Sequence, residues 1–298
     1  MRYNADNLRV RPRGVATEPG LLNGVHSADV GFEHLNMELR ALRRGEVWKN
    51  ETAGCELALI ILGGQCNVKA SCGEWTALGL RKNVFDGMPY ALYLPRQTSF
   101  QLEATSDELE VAICRVATDK DTEAQVIRPE NCAVELRGGF QSSRQITSII
   151  PPGFGSDRIV CVEVYTPAGN WSSYPPHKHD EHREDASGNL LEADLEEIYF
   201  YKFNKPGAWA FQRIYTDDRR IDAAVVAEDN DIVLVPEGYH PVSAAYGYDC
   251  YYLNFLAGSA QSLACTDDPE YAWTKDTWSA LDARVPMVTP EGPRDIPL

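Results

Sequence analysis

Two histidines separated by one residue, His177 and His179, close the run Tyr174-Pro-Pro-His-Lys-His-Asp180. The prolines fix φ and disfavour helix, so the segment reads as extended. In an extended chain, side chains two apart share a side, so both imidazoles aim at one region. Two neutral imidazoles that converge are a start for a divalent metal site, although His-x-His alone is common. A third imidazole is offered by His240, which follows the strand-like run 230–235 and the turn Pro236-Glu-Gly238. An acidic partner is available at Glu197, which strand parity places on one face with Tyr199 and Tyr201. Its neighbour Glu196 competes for that role and would face the opposite way. His182 lies in a charged stretch and reads as solvated.

The elements that must carry these residues are predicted to be strands. Runs rich in β-branched and aromatic residues recur at 56–62, 91–94, 109–116, 159–165, 197–203, 209–215, 232–235 and 251–256. Turn clusters separate them, such as Leu62-Gly-Gly-Gln65, which points to an all-β barrel or sandwich. Short helices are expected only near 31–42 and 273–283. A weak repeat aligns Glu56 with Glu197 (197 − 56 = 141) and Pro95 with Pro236 (236 − 95 = 141). Two tandem β-barrel lobes follow, with residues 1–140 as the first, 141–265 as the second and 266–298 as a C-terminal tail. At the same offset His240 meets Ser99, and the histidines of the first lobe, His26 and His34, precede its strands. The first lobe therefore reads as structural, without metal ligands, and the second as chemical.

With 298 residues the chain can bury a large core, and a net charge of −16 argues against nucleic acid or an anionic membrane as partner. A small anionic substrate is compatible with that charge, because one local cation suffices to hold it. The N-terminal Met1–Asp6 lacks the apolar core of a signal peptide and no run is long enough for a membrane span, so cytoplasmic residence is the default expectation. The eight cysteines form no C-x-x-C pair and are expected to be buried thiols. Assembly into a homo-oligomer is left open.

The order His177-x-His179, Glu197, then Pro236-x-Gly238-x-His240 resembles the two metal motifs of the cupin superfamily. Longer blocks sharpen this: Trp171–Asp180, Leu195–Tyr199, Phe211–Asp218, Val235–Pro241 and Tyr248–Asn254 resemble the 5-deoxy-glucuronate isomerases of bacterial myo-inositol catabolism. That family is related to the isomerases of 5-keto-4-deoxyuronate. Looser matches at 78–81 and 84–87 extend the likeness into the first lobe. The acidic ligand of a cupin usually follows the second histidine closely, whereas Glu197 lies eighteen residues beyond His179 (197 − 179). The polar stretch 180–189 between them reads as an inserted loop at the barrel mouth.

The resemblance implies a bicupin, two tandem jelly-roll barrels with few short helices. It further implies an aldose–ketose isomerase that converts 5-deoxy-D-glucuronate to 5-dehydro-2-deoxy-D-gluconate. His177, His179, Glu197 and His240 would hold one divalent ion, with Zn expected first and Mn, Fe, Ni or Co also suited to the donor set. Such an ion would polarise the carbonyl and acidify the C2 proton, whose return at C1 completes the isomerisation. The base is left open among Tyr199, Glu237, Tyr239, Lys178 and a hydroxide on the metal. Tyr199 is favoured because it shares the face of Glu197. A uronate carboxylate calls for a cation, and an arginine fork suits it. Arg213 is the first candidate, with Gln212, Lys178 and Tyr239 as further substrate contacts; parity lets only one of Gln212 and Arg213 face the pocket. Two other readings use the same residues, a metal-dependent bicupin dioxygenase and a non-catalytic sugar-binding protein.

Overall fold

Alternation of buried and exposed side chains, set by the two-residue strand period, builds two lobes of paired sheets in the computed structural model, which describes residues 2–12 and 20–294. In the first lobe a six-stranded sheet runs in the order Gln125–Ile127, Tyr90–Leu94, Cys55–Gly63, Glu108–Ala117, Asn36–Arg43, Leu21–Val25. A four-stranded sheet of Val47–Glu51, Ser99–Ala104, Cys66–Ala70 and Gly73–Leu78 faces it. The second lobe repeats the plan. Its large sheet contains Ile232–Val235, Leu190–Phe203, Cys250–Gly258, Val160–Thr166 and Arg144–Ile150, and its small one contains Trp171–Ser172, Val242–Ala244, Trp209–Tyr215 and Asp222–Glu228. Every expected strand run overlaps a strand. No helix of the described residues is long and apolar enough to cross a membrane.

The lobes pack through their large sheets, whose central strands are buried on both faces. On Cys55–Gly63, Leu57, Leu59 and Ile61 fill the first barrel, while Ala58, Ile60 and Leu62 join the core shared with the second lobe. Such continuous apolar runs follow from burying both faces. Two carboxylates clamp the lobes reciprocally. Glu56 accepts the backbone N–H groups of Asp157, Arg158 and Ile159 at 2.7–2.9 Å and the Tyr93 hydroxyl at 2.6 Å. Glu196 in turn accepts those of Glu33, His34 and Leu35 in the first lobe.

Three expectations change here. The stretch 36–43 is a strand, not a helix. Its apolar residues satisfy both periodicities, and pairing with Leu21–Val25 and Glu108–Ala117 decides for the strand. Near 273–283 only a 3-10 turn forms, Ala272–Thr277. The residues read as an inserted loop make a β-hairpin: Asp180–Glu184 pairs with the first half of Leu190–Phe203, so the insertion is an extension of the strand that carries Glu197. Around the expected boundary near 140, Ala133–Arg137 hydrogen-bonds to Arg144–Ile150 within the large sheet of the second lobe, and Arg9–Val10 joins the same sheet. The chain therefore changes lobe between Ile127 and Ala133.

Register also corrects the repeat. Leu57 pairs with Leu94 and Glu197 with Val235, and each of those partners precedes its proline. Leu57 therefore occupies the place of Glu197 (197 − 57 = 140), and Glu56 is the counterpart of the clamp residue Glu196. The first barrel holds a leucine where the second holds a carboxylate.

Candidate metal centre

The strand Leu190–Phe203 directs Glu197 and Tyr199 into the second barrel, across from Leu256 and Asn254. His177 and His179 arrive on an extended segment. Its His177–Lys178 part is pinned by Thr266–Asp267, the first residues of the tail, and by the Asp268 N–H bonded to Pro176 O at 2.8 Å. His240 enters from the Pro236–Gly238 turn. Gly238 has φ +91°, and a Cβ there would lie 2.6 Å from the Tyr215 carbonyl, so this turn requires glycine.

His179, Glu197 and His240 are all buried, and their ligand atoms lie within 4.8 Å of one another. His179 Nδ1 is 2.8 Å from Leu195 O, and His240 Nδ1 is 2.8 Å from Gly238 O. A carbonyl oxygen only accepts, so each Nδ1 carries the hydrogen and each Nε2 of a neutral ring is a bare lone pair. Both lone pairs face one carboxylate oxygen: Glu197 Oε2 is 3.0 Å from His179 Nε2 and 3.2 Å from His240 Nε2. His240 Nε2 makes no hydrogen bond although it is buried. Three acceptors in such contact are reconciled by a proton on a ring or by a cation among them, and the donor set suits a divalent metal. His177 stands at the edge of the trio, its ring centroid 4.8 Å from that of His240 and 6.5 Å from that of His179.

With a proton on the facing rings instead, burial opposes the charge on Glu197, yet hydrogen bonds and charge from His179 and His240 outweigh it and hold the carboxyl at about 2. Burial, then the neighbouring rings of His240 and His179, push His177 well below its usual value, which keeps it a neutral donor. Burial followed by the charge of Glu197 pushes the Tyr199 phenol well above its usual value.

A cavity of about 140 Å³ opens beside the cluster, lined by His177, His179, Glu197 and Tyr199 among others. Tyr199 is where the sequence put it, but a phenol that holds its proton this firmly suits a donor better than a base. Its hydroxyl lies 3.1 Å from Ser173 Oγ, which is 3.3 Å from the Tyr252 hydroxyl.

The expected substrate contacts fall elsewhere. Arg213 points outward and forks onto Asp222 with two bonds of 2.9 Å, so it does not face the cavity. Gln212, its inward neighbour, is fully buried; it accepts the Tyr201 hydroxyl at 2.8 Å and donates to His240 O at 3.4 Å, which places it behind the histidine. Lys178 is held by Asp217 at 2.8 Å, and the Tyr239 hydroxyl donates to the same carboxylate at 3.1 Å. Glu237 is paired with Arg220, and exposed His182 meets Ser259 Oγ at 2.8 Å. Of the cysteines, Cys72 and Cys265 are exposed rather than buried, and Cys265 lines the cavity mouth. The sequence reading missed Arg144 and Asn254, which also line it. Strand parity would have offered Asn254, two residues after Tyr252, but no chemical motif surrounds either residue.

Comparison with known proteins agrees with this architecture. Residues 10–274 match the model of the KduI/IolB family. A 5-deoxy-glucuronate isomerase of Geobacillus kaustophilus is 39% identical over 268 residues, which cover 89% of this chain and 95% of that protein. One from Listeria monocytogenes serotype 4b is 32% identical over 267 residues, covering 88% and 96%. The crystal structure of an IolB-like protein from Salmonella typhimurium LT2 superposes with a TM-score of 0.84 at 33% identity, over 89% of this chain and 98% of that one. An oxalate decarboxylase of Bacillus subtilis shares the fold alone, with a TM-score of 0.60 at 12% identity over 90% and 79%. The match over 10–274 and the identity across nearly the whole length of these relatives establish that the chain belongs to the KduI/IolB family.

Proposed function

We propose that this protein is a divalent-metal-dependent isomerase that converts 5-deoxy-D-glucuronate to its ketose, 5-dehydro-2-deoxy-D-gluconate. The observation that carries the metal dependence is the meeting of two Nε2 lone pairs on Glu197 Oε2, an arrangement of acceptors that asks for a cation. His177, His179, Glu197 and His240 would hold it. Family membership and the isomerase relatives support the reaction.

A divalent ion bound there supplies Lewis acidity to a carbonyl and its neighbouring hydroxyl. Leu195 O and Gly238 O fix the tautomer and direction of two ligands. Tyr199, hydrogen-bonded to Ser173, presents a firmly held proton to an oxygen in the cavity. Val162, Val164 and Leu256 form an apolar wall that excludes water from the reacting carbons. The reaction is internally balanced: the C2 proton goes to C1 and the C2 hydroxyl proton to the C1 oxygen, so C2 becomes the carbonyl, C1 becomes a hydroxymethyl group, and no oxidant is consumed.

The test is an anaerobic assay of aldose-to-ketose conversion by NMR, using metal-loaded and chelator-stripped protein alongside metal analysis. Turnover should proceed without oxygen, vanish on stripping and return with one divalent ion per chain. Unchanged turnover in metal-free protein would overturn the proposal, and a requirement for oxygen would favour a dioxygenase.

A further inference from the structure

Burying a cation without a counter-ion is costly, so natural structures keep one where an anion comes to it. Arg144 is such a cation. Its side chain is 4% exposed, and its Nη1 donates only to the carbonyls of Ser142 and Tyr174, at 3.3 and 3.0 Å. Among the described residues no carboxylate lies within ion-pair distance of it. Directly across the strand pair sits Arg137, a second guanidinium on the same wall. Like charges set opposite each other destabilise a sheet. Arg137 is neutralised by two bonds of 2.7 and 2.8 Å to Glu135, which favours the Arg144 charge from a distance but makes no bond to it. Burial pushes the Arg144 guanidinium down to about 10, which leaves it charged at neutral pH.

A second unmet donor lies in the same cavity. Asn254 is 2% exposed and its Nδ2 has no hydrogen-bond partner. It pairs across the sheet with Tyr199, one inward-facing step from the row that holds Glu197. The cavity is thus lined by acceptors, His177, His179 and Glu197, and by donors, the Arg144 guanidinium and the unpartnered Nδ2 of Asn254.

We propose that Arg144 binds the carboxylate of the substrate and sets the preference of this enzyme for sugar acids over neutral aldoses. This rests on the isomerase reading above and adds to it where the anion is recognised. The guanidinium takes the carboxylate as a fork, while the hydroxy-carbonyl end of the same molecule lies against the metal ligands. Arg213 takes no part.

The experiment compares kcat/KM for 5-deoxy-glucuronate with that for the neutral 5-deoxy-aldohexose bearing a primary alcohol in place of the carboxylate. It uses wild type, Arg144→Gln, Arg144→Lys and Arg144→Met, with metal content measured for each. Wild type should favour the uronate strongly. Arg144→Gln should keep its metal and lose at least about 100-fold in kcat/KM for the uronate, mainly through KM, with little change for the neutral sugar. Arg144→Lys should recover part of the preference, and Arg144→Met, which removes the charge and keeps the length, should lose it. A preference retained in Arg144→Gln, or in Arg144→Met should that one fail to fold, would overturn the proposal. Calorimetric binding of the uronate separates this from the parent reading. If wild type turns over neither sugar yet binds the uronate and Arg144→Gln does not, the isomerase assignment fails and the anion site stands.

Discussion

Leu195 O and Gly238 O act on the proposed metal site without touching the atom that would coordinate, because each dictates which imidazole nitrogen carries the hydrogen. Gln212 works one layer further back, bridging the Tyr201 hydroxyl and His240 O in a fully buried position. Replacing Gln212 by Leu keeps the volume but strands the Tyr201 hydroxyl, which should cost about 1–3 kcal/mol in urea unfolding. Tyr201→Phe added to it should recover most of that loss, since both polar partners are then gone. A double variant no more stable than the single one would show that Gln212 matters for another reason. The choice between Gln212 and Arg213 illustrates the limit of parity: it states that the two face opposite ways, and only the surrounding barrel says which way is in.

The turn before His240 is the element on which the site depends most. Tyr215 and Tyr239 exchange N–H···O bonds of 2.8 and 2.9 Å, and this bridge holds the chain so close that Gly238 has no room for a Cβ. Gly238→Ala combines a positive φ with a clash against backbone, at an expected cost of about 1–3 kcal/mol. Because the Gly238 carbonyl orients His240, metal affinity should fall at least about tenfold with it. A titration with a competing chelator reads that affinity; unaltered binding would mean the turn is not what aims the ring. The hairpin 180–195 was harder to foresee. Its polar, acidic composition reads as loop, and the pairing that makes it a strand extension comes from Leu190–Phe203 continuing beyond the barrel.

At the level of the molecule, residues 266–294 of the tail pack onto the second lobe. Thr266–Asp267 pairs with the His177 segment, and Asp282 ties the chain to Asn170 and Ser143. Arg284, first among its partners, holds the Asp282 carboxyl at about 2, below its ordinary 3.8. A depressed folded pKa contributes stability that is complete above the unfolded value and is lost as pH falls through the folded one. The Asp282 contribution is therefore present above 3.8 and fades towards about 2. Asp282→Asn should lower the apparent Tm at neutral pH and flatten its decline between those two pH values, as followed by calorimetry. An equal decline in both proteins would place the acid sensitivity elsewhere. Between the lobes, the Arg81–Glu163 ion pair at 3.0 Å is fully buried and shared with the Tyr165 and Tyr251 hydroxyls, which join the two sheets by polar as well as apolar contact.

By itself the sequence determined the strand content, the tandem repeat and the identity of the convergent residues, because strand period, turn residues and a His-x-His spacing are local properties written in consecutive positions. Only the tertiary structure decided that 36–43 pairs as a strand, that Leu57 rather than Glu56 matches Glu197, and that Arg144 rather than Arg213 faces the cavity. Those outcomes rest on register and on which face of a sheet is enclosed. Both are fixed by tertiary partners, as Arg213 found Asp222 outside the barrel and Arg144 found no ion-pair partner among the described residues.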